Sequence, residues 1–432
     1  MRVEWKKNAM QIAGTGVIGI SAGLAAVAFH HAMLWLIERM VEWPSHGPGW
    51  KFSLMVLGGM ALAAFITGLM MKYLAPDAPG SGIPQVKNAY HTGKLDFTWR
   101  LIFVKFFGGV LSIGTGSSLG REGPTIHIGA AIASKVAKFL GEGPAAKANA
   151  VCAGSAAGLA AAFSSPLAGV TLVLEEIAGG KNQNKFAGRS LFAAALASSV
   201  VYAMTGGTAC LPIGPDMPMH WKVLWLSPLV AIFAGATGLL FQWSTLGLRK
   251  KCQASTLSRP VKLTLGAVGG GLFALIAFGL TGQLGVFALG EKDLLASLHN
   301  QISWPVAGCL LFGKIAATTL CYGSGGCGGI FAPIIFFGSM AGVVIYGLAS
   351  PWINLTPSDQ TLLALVGMTA CLSAVVRAPL TSILIVMEMT WQIHVLPALM
   401  VAAVIGVFLN RSVFSANFYD AALEQDGIVI KE

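Results

Sequence analysis

The chain has 432 residues, of which 55% are hydrophobic and 11% charged, with a formal net charge of +10 and a mean hydropathy of +0.71. A soluble domain carries about 25% charged residues, so the composition excludes a water-soluble fold and marks a membrane protein. The basic excess reads as membrane topology and not as nucleic-acid binding, because Lys and Arg sit before and between the apolar segments.

The first apolar segment, residues 12–36, follows Arg2, Lys6 and Lys7 and is too long for the core of a cleavable signal. Residues 52–71 form a charge-free run, and residues 190–209, 223–248 and 263–290 form three more. Each matches the roughly 20 apolar residues that a spanning helix needs. None alternates as a barrel strand would, so the fold class is all-α and polytopic, with every backbone group satisfied inside its own helix. Between the runs lie basic clusters: Lys135, Lys138 and Lys147; Lys181, Lys185 and Arg189; then Arg249, Lys250, Lys251, Arg259 and Lys262. Residues 205–221 hold no Lys or Arg. The positive-inside rule then places the N-terminus and the basic connections in the cytoplasm. Only 13 residues follow Tyr419 (432 − 419 = 13), so no soluble regulatory domain is expected and the chain reads as one transport domain over 1–432. The seven cysteines are scattered, with no CxxC pair, which argues against a structural metal or a disulfide framework.

Three interruptions break the apolar pattern: PGSGIPQ (79–85), GREGP (120–124) and GGIFAP (328–333). Each combines Gly with a Pro suited to the first turn of a helix, and each has the look of a helix that starts partway through the membrane. They are also part of a repeat. Lys105 precedes Pro124 by 124 − 105 = 19 residues, and Lys314 precedes Pro333 by 333 − 314 = 19. In this register, offset by 209, Gly114, Gly116 and Gly120 fall on Gly323, Gly325 and Gly329. Further on, SPLAGVTLVLEE (165–176) matches APLTSILIVMEM (378–389) at an offset of 213, pairing Glu175 with Glu388. Two halves, about 10–213 and 225–422, with broken helices at corresponding places point to a transporter whose site lies near the midplane. Opposite orientation of the two halves is the expectation.

A helix N-terminus carries unpaired N–H groups and a partial positive charge, and so binds an anion without a full countercharge. Three such ends aimed at one point suit a small anion that must bind and then leave. The side chains in the breaks are hydroxyl or neutral, as at Ser81, Ile330 and Phe331. Glu122 is the exception. In the first turn of its helix a carboxylate is itself an anion for those amides. It reads as a gate that competes with the permeant ion and leaves on protonation, since ionisable residues inside a membrane are functional by default. Glu175 and Glu176 read either as an interfacial acid pair or as a proton entry feeding Glu122. Lys105 and Lys314 either add a diffuse positive field or satisfy nearby carbonyls. Arg121 points away from the gate on its helix and reads as a structural contact at the outer mouth; His127 and Glu388 read as packed residues. No HExxH motif or nucleophile–base pair supports an enzyme.

GSGIP (Gly80, Ser81, Gly82, Ile83, Pro84), GREGP (Gly120, Arg121, Glu122, Gly123, Pro124) and GIFAP (Gly329, Ile330, Phe331, Ala332, Pro333), in that order, resemble the anion-filter segments of the CLC chloride channels and transporters. So do RAPLTSILIVMEMT and the C-terminal FYDAALEQDG; the likeness runs from about Val3 to Gly427 and is greatest to the short bacterial members. It implies two inverted-topology repeats whose broken helices meet at the midplane, in a homodimer with one pathway per subunit, in a bacterial inner membrane with both termini cytoplasmic. It also implies roles: chloride held by the Ser81 hydroxyl, the Ile330 and Phe331 amides and the Tyr419 phenol; Glu122 as the outer gating and proton-exchanging acid; Glu176 as the internal proton acid. Phe414 lies in a segment that aligns as an alternative to Tyr419, although YDAALE and the donor hydroxyl favour Tyr419. The implied activity is exchange of chloride for protons without cofactor or metal. A passive voltage- or pH-gated channel of the same fold is the alternative, as is export of fluoride or nitrate.

Overall fold

The computed structural model describes residues 2–179, 183–207, 209–214 and 217–430, with side chains from residue 9 and omitting those of 183–185. Lys181 and the side chains of Arg2, Lys6, Lys7 and Lys185 lie outside the described residues. In chain order the helices are α1 (Arg2–Ile37), a short turn α2 (Trp43–Ser45), α3 (Gly49–Tyr73), α4 (Ile83–Thr92), α5 (Trp99–Gly114), α6 (Glu122–Phe139), α7 (Pro144–Phe163), α8 (Pro166–Leu172) and α9 (Gln183–Thr205). The second half holds α10 (Trp221–Ala254), α11 (Arg259–Thr281), α12 (Glu291–Leu298), α13 (Trp304–Gly323), α14 (Phe331–Ala349), α15 (Pro357–Val376), α16 (Pro379–Thr390), α17 (Leu396–Val413) and α18 (Phe418–Gln425). Among the described residues nine helical stretches are long and apolar enough to cross a membrane. Their outer faces expose Leu54, Leu280, Val404 and Phe408, each at least 67% accessible, which is the surface expected of a polytopic membrane protein facing lipid.

Two of the expected runs are trimmed. Residues 190–209 overshoot α9, which ends at Thr205, and residues 263–290 overshoot α11, which ends at Thr281. Gly282 then takes a left-handed backbone, with φ of 72°, and the chain continues as an irregular loop. That loop is charge-free because it is buried in protein, not because it crosses lipid. Lys314 Nζ donates to the carbonyls of Gly285 at 2.9 Å and Ala288 at 2.7 Å, supplying the donors its irregular backbone lacks. Several basic residues expected in connections instead stand on helix ends: Lys135 and Lys138 on α6, Lys147 on α7, and Arg249 to Lys251 on α10.

The repeat is visible as matched geometry. α6 packs on α7 backbone to backbone, so that a Cβ added at Gly129 would lie 2.2 Å from the Gly154 carbonyl oxygen. In the second half α14 packs on α15 in the same way, with a Cβ at Gly338 falling 2.3 Å from the Gly367 carbonyl oxygen. Gly338 is Gly129 plus 209 and Gly367 is Gly154 plus 213. Both central helices end alike. Ser164 at φ 54° closes α7 and Arg377 at φ 59°, 213 residues later, closes α15, each followed by a residue and a Pro that start the next helix. α7 is buried from Ala150 to Phe163 and α15 from Asp359 to Val376, so small residues there permit close helix approach within the protein.

The halves also touch each other reciprocally. Glu175 accepts from the amides of Leu380 at 3.0 Å and Thr381 at 2.8 Å, and Glu388 accepts from Leu167 at 3.1 Å and Ala168 at 2.9 Å. These four bonds exchange under the 213-residue offset. Each carboxylate caps the partner half's short helix, where the first N–H groups have no intrahelical acceptor. Glu175 is thereby a structural cap, as is Glu388, and only Glu176 remains of the acid pair for other work.

Candidate functional site: a gated anion filter

The three interruptions converge. Gly120 and Gly329, equivalent positions in the repeat, exchange both backbone hydrogen bonds, Gly120 N to Gly329 O at 2.8 Å and Gly329 N to Gly120 O at 2.6 Å. The first interruption joins them. Gly80 N donates to Gly326 O at 3.1 Å, and a Cβ at Gly123 would fall 2.6 Å from both the Ser81 carbonyl oxygen and Oγ. Left-handed Gly80 (φ 71°) and Gly82 (φ 101°) let the chain turn sharply enough to start α4 here. α4, α6 and α14 therefore begin within one cluster of loops, with Ile83, Glu122 and Phe331 as their first residues. Lys105 Nζ donates to the Gly80 carbonyl at 2.7 Å, so Lys105, like Lys314, is engaged by a loop carbonyl.

Glu122 is fully buried, and its carboxylate lies on the opposite half of the repeat. Oε1 accepts from Phe331 N at 2.6 Å and from Ala332 N at 3.3 Å. The acid thus occupies the amides at the start of α14, where a bound anion is favoured by the helix end. Oε2 has no partner. Room for the carboxylate exists only because its neighbours are glycines: a Cβ at Gly120 would lie 2.2 Å from Oε1 and one at Gly329 2.3 Å from it. The resemblance implies the Ile330 and Phe331 amides as chloride donors; the acid is held by Phe331 N and Ala332 N, and Ile330 is the N-cap of α14.

Tyr419, in the first turn of α18, is fully buried with its ring nearly parallel to Phe331, 6.4 Å between centroids. Its hydroxyl meets no hydrogen-bond partner among the described residues. Ser81 is fully buried as well. Phe414 is only half-buried at the end of α17, where its carbonyl accepts from Arg377 Nη2 at 2.7 Å. Tyr419, and not Phe414, therefore faces the filter. A fourth helix start, that of α18, joins the three read from the sequence.

Glu176 is 2% exposed. Its Oε1 accepts from Lys87 Nζ and its Oε2 from Asn417 Nδ2, both at 3.0 Å, and Lys87 also pairs with Asp420 Oδ1 at 2.5 Å. Sequence reasoning missed Lys87, Asn417 and Asp420. A buried carboxylate requires a partnered charge, and Lys87, one turn into the helix that follows Ser81, was the available signal. Asn417, the N-cap of α18, links this acid to the filter because Tyr419 is two residues further on.

Arg121 turns away from the anion path. Its Nε donates to the Ala162 carbonyl at 3.0 Å, its Nη1 lies 2.6 Å from His30 Nδ1, and its Nη2 is 3.0 Å from Glu291 Oε1. His127 is buried edge-on against Phe97, with ring centroids 5.5 Å apart. Pro84, Pro124 and Pro333 each stand in the first turn of a filter helix, where a missing N–H leaves no bond unmade.

This fold and this site define a polytopic ion transporter built from two inverted halves. Residues 63–411 match the family model described as voltage gated chloride channel. The chain belongs to that family. It is 34% identical over 391 residues to the H(+)/Cl(-) exchange transporter ClcA of Cronobacter sakazakii, covering 86% of this chain and 80% of that protein. It is 31% identical over 419 residues to the protein of the same name from Vibrio cholerae serotype O1, covering 95% and 88%. Among solved structures, a slow cyanobacterial Cl-/H+ antiporter superposes with a TM-score of 0.84 at 26% identity, over 96% of this chain and 98% of that one. A CLC-type fluoride/proton antiporter shares the fold, with a TM-score of 0.80 at 21% identity over 96% and 98% of the two chains.

Proposed function

We propose that this protein exchanges chloride for protons across the membrane, with Glu122 as the shared element of the two pathways. The observation that carries this reading is the seat of the Glu122 carboxylate on the Phe331 and Ala332 amides. A tethered anion there and a free chloride compete for the same helix end. Protonation removes the charge that holds the acid in place, so release of the gate takes up a proton and admits an anion. The Ser81 and Tyr419 hydroxyls offer further donors of moderate strength, which suits an ion that must leave again. Glu176, anchored by Lys87 and Asn417, is the group through which protons reach Glu122 from the opposite side. The relatives named as H(+)/Cl(-) exchange transporters support the same assignment.

The transport domain spans 1–432, with the halves about 10–213 and 225–422, and no cofactor, metal or catalytic residue enters the cycle. The protein acts as a homodimer with a complete pathway in each protomer, in a bacterial inner membrane with both termini in the cytoplasm. Cysteine accessibility at either terminus reads the orientation, and cross-linking in native membranes reads the dimer.

The deciding experiment reconstitutes the protein in vesicles and follows protons driven uphill by a chloride gradient. Exchange predicts proton movement opposite to chloride and a reversal potential that shifts with pH. Glu122→Gln and Glu176→Gln should each stop proton movement while chloride still flows. A reversal potential indifferent to pH in the wild-type protein would make it a passive channel, and proton pumping by both variants would remove the two assignments.

A further inference from the structure

The acid assigned to internal proton transfer, Glu176, has no open route to water. Its side chain is 2% exposed and both of its oxygens are engaged, Oε1 by Lys87 and Oε2 by Asn417. A carboxylate enclosed in this way takes up a proton through a group that already bonds it. The Asn417 amide is neutral and keeps its hydrogens, whereas an ammonium can hand one over.

Lys87 faces two acids. Its Nζ is 3.0 Å from Glu176 Oε1 and 2.5 Å from Asp420 Oδ1. Side-chain exposure rises along this row, from 2% at Glu176 through 7% at Lys87 to 26% at Asp420. A buried acid, a cation and an acid that reaches water therefore stand in contact. One ammonium between two carboxylates leaves one negative charge over. The row can accept one proton, which belongs to the coupled pair of acids and not to either alone.

The surroundings hold this row in place. Asn417, the N-cap of α18, donates to Glu176 through Nδ2 and accepts from Asp420 N through Oδ1 at 2.8 Å. One side chain thus sets the position of both acids. Glu176 itself stands in a wide helical turn, residues 173–177, closed by Ala178 N donating to Val173 O at 2.8 Å. Turns of this five-residue kind are rare and recur at functional sites. Glu175, in the same turn, is tied to the Leu380 and Thr381 amides and the Thr381 hydroxyl. Among the other charged groups nearby, His91, one turn beyond Lys87 on α4, lies 3.1 Å from the Ile177 carbonyl. Arg377 donates to the carbonyls of Phe414 at 2.7 Å and Ser415 at 2.9 Å, just before α18, and Arg411 is exposed near the end of α17.

We propose that Asp420 is the port at which protons enter from the water, and that Lys87 relays them to Glu176. The proposal rests on the exchange reading above. With Asp420 protonated, the Lys87 ammonium gives a proton to Glu176, so that an N–H bond breaks and an O–H bond forms. The neutral amine then takes the Asp420 proton, which breaks that O–H bond and restores the N–H. The sum moves one proton from Asp420 to Glu176 and leaves Lys87 charged as before. Asp420 takes the next proton from water, and the reverse sequence returns one.

Proton flux driven by a chloride gradient in vesicles tests the relay, with neutral pH on the face bearing α18. Asp420→Asn keeps the shape and removes the acid. It should slow proton flux at least about tenfold, since a positioned acid–base group contributes about 10²–10⁴-fold. Chloride flux should fall less, so that fewer protons move per chloride. Acidifying that face should relieve the deficit, because Lys87 then recovers its proton directly from solution. Asp420→Glu should restore the wild-type ratio, and Glu175→Gln should keep it, with a thermal melt confirming that each variant is folded. Unchanged proton flux in Asp420→Asn, an equal loss of chloride flux, a deficit that neither acid nor Asp420→Glu relieves, or the same deficit in Glu175→Gln overturns the port. A wild-type protein that moves no protons overturns the exchange reading, and the relay with it.

Discussion

Removing the gate carboxylate should create a vacant anion site, and filling the space above Gly120 should close it again. In Glu122→Ala the Phe331 and Ala332 amides lose their acceptor, one bond of 2.6 Å and one of 3.3 Å. A hydrogen bond to a charged partner contributes about 1.5–3 kcal/mol. The shorter bond dominates, so a chloride that takes over this helix end gains roughly 2–3 kcal/mol, or about 30–140-fold in affinity at 1.4 kcal/mol per factor of ten. Chloride titration calorimetry of Glu122→Ala should show this tighter binding, with an additional anion per chain. A Cβ at Gly120 lies 2.2 and 2.4 Å from the two carboxylate oxygens, closer than real Cβ contacts come. Gly120 does not have a positive φ, so Ala is tolerated by the backbone there. Glu122→Ala combined with Gly120→Ala should therefore lose the gained anion while remaining folded in a thermal melt. Wild-type chloride affinity in Glu122→Ala, or undiminished binding in the double variant, refutes the claim that acid and chloride share one seat.

Lys87→Met should leave Glu176 buried with Asn417 as its remaining partner; proton flux should fall well below chloride flux in the same vesicles, whereas equal slowing of both would mean a general folding defect. Tyr419→Phe removes a hydroxyl that makes no hydrogen bond among the described residues, so stability should be unchanged while chloride affinity drops by roughly 1 kcal/mol, about fivefold, measured by the same calorimetry. Glu175→Ala and Glu388→Ala each strip two amides of their acceptor at the contact between halves. Each should destabilise by about 1–3 kcal/mol, seen as a lower Tm in detergent, with the ratio of protons to chloride intact in the folded fraction.

Much of the fold was legible because lipid imposes harsh rules. A charge-free run such as residues 52–71 reads as a spanning helix, and α3 at Gly49–Tyr73 includes it. A Gly- and Pro-rich interruption between such runs can only be a helix start sheltered by protein, and GREGP and GGIFAP became the beginnings of α6 and α14. The offsets of 209 and 213 already contained the symmetry that returns in Gly129 with Gly154 and Gly338 with Gly367. Where the same rule failed, at residues 282–290, the reason is physical. Composition reports the absence of charge, and a segment wrapped around Lys314 is as dry as one in lipid.

What no local pattern could decide is which atoms face each other across the repeat. Glu122 begins α6, yet the amides it occupies belong to α14, 209 residues away, because the two-fold relation between halves brings each helix start to the other. Glu175 and Glu176 are neighbours in sequence with the same chemistry. Adjacent residues on a helix point in different directions, so one acid reached the partner half's amides as a cap while the other turned inward to Lys87 and Asn417. The sequence by itself determined the membrane fold, the repeat and the chemistry available at each break. Tertiary structure alone decided which carboxylate became a cap, which a buried ion pair and which sits on the amides that begin α14, since direction and partner depend on contacts that form only once the two halves are packed together.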